Sequence, residues 1–228
     1  MKKLVVISLG GSLIIPDKID ISFLKKFRKI ILENIKNYRF IIVCGGGNIA
    51  RRYIYALRES GINEEFQSFS GISATRMNAR FMSYFFKIDP ERGIPEKMRS
   101  IRKYLRKQDV VFCGALEYEP HQTSDSTAAE IASHFKTDFI NLTIVSGLHD
   151  KNPLTNKNAR FIPKISWQDF YKITNKIKYK PGQHFVLDQR ASKIIMENKI
   201  TTYILGKNMQ EFDNLLKGRK FRGTTIKD

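Results

Sequence analysis

The chain has 228 residues, of which 42% are hydrophobic, and a formal net charge of +18 at pH 7. This length can bury the core of one sizeable domain, most simply a single α/β domain over 1–228. The N-terminal apolar run, residues 4–9, is too short for a membrane span or a signal peptide, so we expect a cytoplasmic protein without membrane attachment.

The excess positive charge is scattered over several segments: 25–29, 99–107, 172–180 and 217–222. These runs lack the single basic stripe with interleaved aromatic residues that is typical of nucleic-acid binding. We therefore interpret most of the excess positive charge as lysine and arginine side chains on solvent-exposed faces. Attraction of small anions stays open as an alternative, and nucleic-acid binding is the least favoured. Cys44 and Cys113 end apolar runs without metal-ligand spacing, which predicts buried thiols.

Apolar runs alternate with helical periodicity along the chain. In the first half the pattern predicts strands over 3–9 and 40–44 and helices after Asp20, over 48–59 and over 71–86. The basic stretch 89–108 is ambiguous. In the second half it predicts strands over 109–113, 138–145, 201–205 and 223–226, helices from Thr123 and over 166–173, 188–198 and 209–216, and a loop or hairpin over 150–163. This alternation favours a mostly parallel sheet covered on both faces.

Glycine-rich turns follow the first two predicted strands. Residues 10–12 read Gly-Gly-Ser, and residues 45–47 read Gly-Gly-Gly, one helical turn before Arg51. Glycine lets backbone N–H groups approach an anion, and a helix N-terminus adds partial positive charge. The two turns therefore predict a split cradle for phosphates, in which Arg51 either grips a phosphate or is a plain surface arginine.

Residues 45–50 also fit the dinucleotide-binding pattern G-x-G-x-x-G/A, with Glu64 and Glu65 near the place of a ribose-binding acid. That pattern leaves the first glycine turn unexplained. The P-loop sequence G-x-x-x-x-G-K-[ST] does not occur in the chain, which excludes a P-loop mechanism.

Two further predicted helices begin with polar residues. Thr123, Ser124 and Asp125 are either simple N-caps or a site for a phosphate and magnesium. Asp188 and Lys193 are either a cap and a solvated lysine or groups that organise and neutralise a transferring phosphoryl group. Because ligands bind at the carboxyl ends of parallel strands, we expect both glycine turns, the turn at Thr123 and the turn at Ser146 to open on one edge.

Seven motifs in this order resemble the amino-acid kinase superfamily and, within it, the archaeal-type uridylate kinases. The likeness spans nearly the whole chain, at residues 9–12, 45–53, 71–79, 123–125, 147–153, 188–193 and 223–226. It implies a three-layer α/β/α sandwich with a mostly parallel central sheet. It also implies transfer of the γ-phosphoryl group of ATP to UMP with Mg²⁺, by a homo-oligomer that is usually a hexamer, with an acceptor half at about 1–135 and an ATP half at about 136–228.

The resemblance also implies the roles of individual residues. The expected ATP-binding positions are Gly10, Gly11, Ser12, Gly47, Arg51, Thr143, His149 and Asn152. The expected UMP-binding positions are Gly46, Ser68, Tyr118, Pro120, Gln122, Thr123 and Ser124. We expect Asp125, Asp188 and Lys193 to act at the transferring group, with no metal site made by the protein alone.

The chain departs from the family pattern at Ser8, Ser68, His121, Ser146 and Gln189. Ser8 stands where the family often has a lysine or aspartate, and Ser68 where an acid usually meets the UMP ribose. Two alternatives therefore stay open. One is a kinase of the same fold with another acceptor, such as isopentenyl phosphate, a carbamate or an amino-acid carboxylate. The other is a catalytically impaired nucleotide-binding homologue.

Overall fold

The computed structural model describes residues 2–120, 122–176 and 186–228. Its strands are β1 (Lys3–Leu9), β2 (Tyr38–Cys44), β3 (Val110–Cys113), β4 (Asp138–Leu142), β5 (Leu148–His149), β6 (Phe161–Ile162), β7 (Lys164–Ile165), β8 (Thr202–Leu205) and β9 (Thr224–Ile226). Its α-helices are α1 (Gly11–Ile14), α2 (Ile21–Asn34), α3 (Gly47–Glu59), α4 (Glu64–Phe85), α5 (Met98–Leu105), α6 (Ser124–Phe135), α7 (Trp167–Asn175), α8 (Gln189–Glu197) and α9 (Met209–Leu216).

The central sheet has seven strands in the order β3-β2-β1-β4-β8-β9-β7. The first five run parallel, β9 runs antiparallel to β8, and β7 pairs parallel with β9. β5 and β6 form a separate antiparallel pair. The strand order reverses between β1 and β4, so a crevice is expected outside the carboxyl ends of these two strands.

Helices cover both faces of the sheet, because each strand alternates buried residues toward two separate cores. Val5, Ile7 and Leu9 of β1 pack with α2, α4 and α9 in one core. Val6 packs with α5, α6, α7 and α8 in the other core. The predicted three-layer sandwich with a mostly parallel sheet is confirmed.

Several boundaries differ from the sequence-based predictions. The helix predicted over 71–86 begins seven residues earlier, because Asn63 caps it by accepting a hydrogen bond from Phe66 N at 3.2 Å. Gly71 lies inside α4, where a Cβ would stand 3.2 Å from Ile54 of α3. Its missing side chain thus allows close packing of the two helices.

The prediction of a strand over 138–145 is wrong at its end, since β4 stops at Leu142 and Thr143 N donates to Leu205 O at 2.9 Å. The ambiguous stretch 89–108 contains a short 3₁₀ helix, Pro90–Arg92, and α5. Cys44 and Cys113 are buried free thiols, as predicted, and burial raises the pKa of Cys113 to about 12. In the ranges that the structure describes, none of the helices has the length and apolar character needed to span a membrane.

Candidate active site

The two glycine turns touch each other through their backbones. A Cβ on Gly11 would stand 2.1 Å from Gly47 N and 2.6 Å from Gly45 O, so only glycine allows this approach. Gly47 also has a positive φ of 60° at the start of α3. Gly10 N donates to Leu142 O at 3.0 Å, which joins the first turn to the end of β4. The turns therefore meet at the crevice between β1 and β4.

Side chains from two helices brace these turns. Asn78 of α4 is buried, and its Nδ2 donates to Gly45 O at 2.7 Å. Arg51 of α3 donates through Nη2 to Ser12 Oγ at 3.3 Å and to Asn48 Oδ1 at 2.7 Å. Desolvation lowers the pKa of Arg51. A partly desolvated guanidinium beside both turns is well suited to bind a phosphate.

The N-terminus of α6 lies against the second glycine turn. Thr123 caps this helix, since its Oγ1 accepts from Asp125 N at 3.1 Å and Ser126 N at 3.2 Å. Ser124 Oγ lies 3.4 Å from the place that a Cβ on Gly45 would occupy. The helix therefore directs its first backbone N–H groups and its partial positive charge toward the crevice.

Two carboxylates meet at this helix N-terminus. Ser8 of β1 donates through Oγ to Asp125 Oδ1 at 2.6 Å. Asp188 caps α8 by accepting from Ala191 N at 2.8 Å, and it accepts a short hydrogen bond from Thr123 Oγ1. Segments that are far apart in sequence thus bring Asp125 and Asp188 together beside the glycine turns.

The electrostatics of this pair are unusual for aspartates. Burial, followed by the neighbouring charge of Asp188, raises the pKa of Asp125 from 3.8 to about 7, and the hydrogen bond from Ser8 opposes the shift. Strongly shifted pKa values beside a cleft are typical of functional sites. A cation placed between the two carboxylates would therefore stabilise the ionised form of Asp125.

On the other side of the crevice, a cavity of about 300 Å³ opens beyond the ends of β4 and β8. Its lining residues are Ile144, Ser146, Gly206, Lys207, Asn208, Glu211 and Arg222. Gly206 allows Ser146 to approach, since a Cβ there would lie 2.9 Å from Ser146 Cα. The turn at Ser146 is therefore on the expected edge. Sequence reasoning missed Lys207, Asn208 and Arg222 at this cavity.

The segment between β3 and α6 is held by two arginines that sequence reasoning also missed. Arg76 of α4 donates to Ala115 O at 3.2 Å and to Leu116 O. Arg190 of α8 binds the other end of the segment, through Glu119 and the carbonyl of Pro120. Arg76 and Arg190 both stand inside quoted motifs, 71–79 and 188–193, but neither motif indicated the partners of its arginine.

The other residues expected to bind UMP lie in or beside α4 and α6. Tyr118 places its ring 5.0 Å from that of Phe69, Gln122 bonds to Glu130, and Ser68 is partly buried in α4. Gly46 packs beside Ala50 and Thr75, since a Cβ there would lie 2.4 Å and 3.5 Å from their side chains. His121, a departure from the family pattern, lies outside the described residues.

Three residues expected at the active site contact groups other than Asp125 and Asp188. Lys193 is exposed, and its Nζ lies 3.8 Å from Glu197 Oε1. His149 Nδ1 lies 3.1 Å from Gly147 O, and Asn152 Oδ1 accepts from Leu154 N at 3.0 Å within its own turn. Their roles stay predictions.

A larger cavity, of about 840 Å³, lies at the opposite edge of the sheet. Its lining residues are Lys2, Lys3, Lys36, Asn37, Tyr38, Leu216, Lys217 and Arg219. This cavity lies at the amino ends of β1 and β2, away from the glycine turns. Size alone is therefore a poor guide here, and the convergent polar groups locate the candidate site at the carboxyl edge.

Comparison with known proteins agrees with this geometry. Residues 3–206 match the model of the amino acid kinase family. The uridylate kinase of Thermococcus kodakarensis is 30% identical and covers 97% of this chain and 98% of its own length. That of Thermoplasma volcanium is 33% identical over 100% of this chain and 99% of its own length.

Solved structures give the same result. The crystal structure of uridylate kinase from Archaeoglobus fulgidus has a TM-score of 0.84 and 32% identity, covering 99% of this chain and 100% of that one. The UMP kinase of Ureaplasma parvum, at 21% identity and a TM-score of 0.81 with full coverage of both chains, shows the same fold. The paired glycine turns, the strand order and the family match over most of the sequence lead to one conclusion: this chain belongs to the amino acid kinase family.

Proposed function

We propose that this chain transfers the γ-phosphoryl group of ATP to the phosphate of UMP, giving ADP and UDP. The observation that carries the proposal is the meeting of both glycine turns with the first turns of α6 and α8 at one edge of the sheet. Relatives of nearly equal length that are 30–33% identical are uridylate kinases, which supports UMP as the acceptor.

On the donor side, the backbone N–H groups of the glycine turns and the guanidinium of Arg51 bind the phosphates of ATP. The cavity beyond β4 and β8, next to Thr143, accommodates the adenosine part. This division agrees with an ATP half at about 136–228, with both glycine turns contributed by the acceptor half. His149 and Asn152 complete the donor positions implied by the resemblance.

On the acceptor side, the N-terminus of α6 and the segment 118–122 bind UMP. A phosphate oxygen of UMP is already anionic at neutral pH, so the attack on the γ-phosphorus needs no general base. Catalysis then consists of aligning two phosphates and neutralising the charge between them. Asp188 organises the first turn of α8, and Lys193 is expected to reach the developing charge.

The carboxylate pair fits a magnesium ion that arrives with ATP. In the described part of the chain, no group of three or more acidic, histidine or cysteine residues forms a dedicated metal cage. Magnesium commonly binds one or two carboxylates together with substrate phosphates and water. Asp125 and Asp188 would hold it, and the ion would offset negative charge on the phosphates.

A coupled assay of ADP release tests the proposal. ATP and Mg²⁺ are supplied with UMP, CMP, AMP or isopentenyl phosphate as the acceptor, and the ratio kcat/KM is compared. A clear preference for UMP supports the proposal. Preference for another acceptor assigns a different kinase of this fold, and absence of ADP with every acceptor despite ATP binding identifies a non-catalytic homologue.

We also propose that the protein is a cytoplasmic homo-oligomer, a hexamer by family resemblance, in which α3 and α4 contact a second copy. Ala50 is the only residue of α3 that is buried. Tyr53 and Tyr55 are each 56% exposed, and on α4 Phe66 is 60% exposed and Met77 67%. Such a concentration of exposed apolar side chains is typical of an interaction surface. Light scattering coupled to size exclusion tests this, with Phe66→Asp expected to lower the measured mass.

A further inference from the structure

Arg190 joins three parts of the molecule with one guanidinium. Its Nη1 donates to Pro120 O at 3.2 Å, and its Nη2 donates to Glu130 Oε1 at 2.7 Å and to Glu119 Oε2. Gln122 Nε2 completes the arrangement by donating to Glu130 Oε2 at 2.7 Å. The first turn of α8, the middle of α6 and both sides of the 118–122 segment therefore share one network of charges.

We propose that Arg190 is a positioning residue that holds the acceptor-binding residues 118–120 and 122 against α8, the helix that Asp188 caps. The proposal rests on the proposed function for its substrate, and on the contacts alone for the role of Arg190 in ordering the segment. Arg190 does not itself need to touch a nucleotide. It acts by fixing the residues expected to contact UMP.

The segment depends on such contacts because its described residues, 114–120 and 122–123, form neither helix nor strand. Between β3 and α6, its first part is bound by Arg76, which donates to the carbonyls of Ala115 and Leu116. Its second part is bound by Arg190 through Glu119 and Pro120. A guanidinium has five donors in a fixed plane, which lets one side chain hold several acceptors at defined angles.

Among the ion pairs of the described residues, Arg190–Glu130 is one of the less exposed, whereas Glu119, the other carboxylate on Arg190, is 52% exposed. The side chains of Arg190 and Glu130 are 32% and 25% exposed, compared with 67% and 61% for the pair Lys172 and Asp169. Burial raises the pKa of Glu130, and Arg190 opposes that shift. Partly buried, charge-assisted hydrogen bonds are stronger than exposed ion pairs, so loss of Arg190 leaves Glu130 poorly compensated.

The position of Arg190 gives it a specific consequence for function. It lies two residues after Asp188, whose carboxylate bonds to Thr123 at the end of the same segment. Thus α8 holds the segment at two points, once at the carboxylate pair and once at Glu119 and Pro120. Removing the second point frees the acceptor residues while the glycine turns and the first point stay in place.

The test uses the full-length protein and the variants Arg190→Ala, Arg190→Lys and Glu119→Gln, with Arg92→Ala as the matched control. Arg92 is an exposed arginine whose Nη1 donates to Gln108 at 2.7 Å, outside the candidate site. Two readouts are measured for each: hydrogen exchange of peptides covering 115–124, and KM for UMP and ATP separately.

For Arg190→Ala we expect faster exchange in 115–124 and a KM for UMP raised roughly tenfold, a change typical of losing a charge-assisted hydrogen bond. The KM for ATP and kcat should change much less. Arg190→Lys and Glu119→Gln should lie between the wild type and Arg190→Ala, and Arg92→Ala should match the wild type.

The proposal is overturned if exchange in 115–124 is unchanged in Arg190→Ala, or if KM rises equally for both nucleotides. An equal effect of Arg92→Ala on exchange and on the KM for UMP would also overturn the proposal, since the effect would then come from the loss of positive charge alone. If the wild type does not phosphorylate UMP, the proposed function fails, whereas hydrogen exchange still decides whether Arg190 orders the segment.

Discussion

Replacing Asp125 by asparagine should stabilise the protein at neutral pH while removing a charge that the proposed reaction needs. The side chain keeps its shape, and the amide oxygen can still accept the hydrogen bond from Ser8 Oγ. What disappears is a carboxylate whose ionisation is opposed by burial and by the charge of Asp188. The variant therefore distinguishes the effect of that charge on stability from its effect on the reaction.

The magnitude follows from the raised pKa of Asp125, about 7 in the folded protein against 3.8 for the ordinary group. Between these values the folded state binds more protons than the unfolded state, so the free energy of unfolding falls as pH rises. About three pKa units correspond to roughly 4 kcal/mol.

Urea or thermal unfolding at several pH values between 4 and 8 measures the effect. The stability of Asp125→Asn minus that of the wild type should be small near pH 4, should grow toward pH 7 and should then level off. The largest difference in Tm would be roughly 10 °C for a chain of this size. Asp17→Asn, which removes the charge of an exposed carboxylate, is the control. A flat or inverted curve for Asp125→Asn would refute the reasoning.

Four other substitutions test the site. Gly11→Ala should abolish ATP binding in a nucleotide titration, because the new Cβ would lie 2.1 Å from the backbone of the second turn. Gly71→Ala is the control: its Cβ makes a looser helix contact, at 3.2 Å, and the variant should bind ATP normally. Asn78→Ala should lower the free energy of unfolding by about 1–3 kcal/mol, because it leaves a buried carbonyl unpaired, and an unchanged urea midpoint would contradict this. Asp188→Asn should lower kcat sharply with little change in stability or ATP affinity, since asparagine caps helices equally well. Lys193→Ala is expected to do the same, and near-normal turnover would remove Lys193 from the mechanism.

Much of the fold could be predicted from the sequence because its signals are local. The strand 3–9 and the helix 209–216 have the predicted boundaries, since apolar runs and helical periodicity are written in neighbouring residues. The helix predicted over 166–173 is present as α7, and Ser166 caps it by accepting from Asp169 N at 3.1 Å. The start predicted at Gly71 was wrong, because Asn63 caps the helix seven residues earlier and Gly71 lies inside it, packed against Ile54.

The candidate site was predictable in part for the same reason. Glycine turns after strands are visible in sequence, and parallel strands place their carboxyl ends on one edge. By contrast, the partner of Asp125 turned out to be Ser8, which in sequence was only a missing lysine. Asn78 and Arg190 act through atoms far along the chain, so no local pattern indicated their partners.

By itself, therefore, the sequence determined which segments are strands, where glycine permits a close backbone approach, and which kinase family the motifs resemble. Only the tertiary structure decided that the two glycine turns touch, that Asp125 carries a pKa of about 7, and that Arg190 binds Glu119 and Pro120 of the acceptor segment. The physical reason is that propensity and periodicity depend on neighbours in the chain. Desolvation, charge coupling and hydrogen-bond partners depend on neighbours in space.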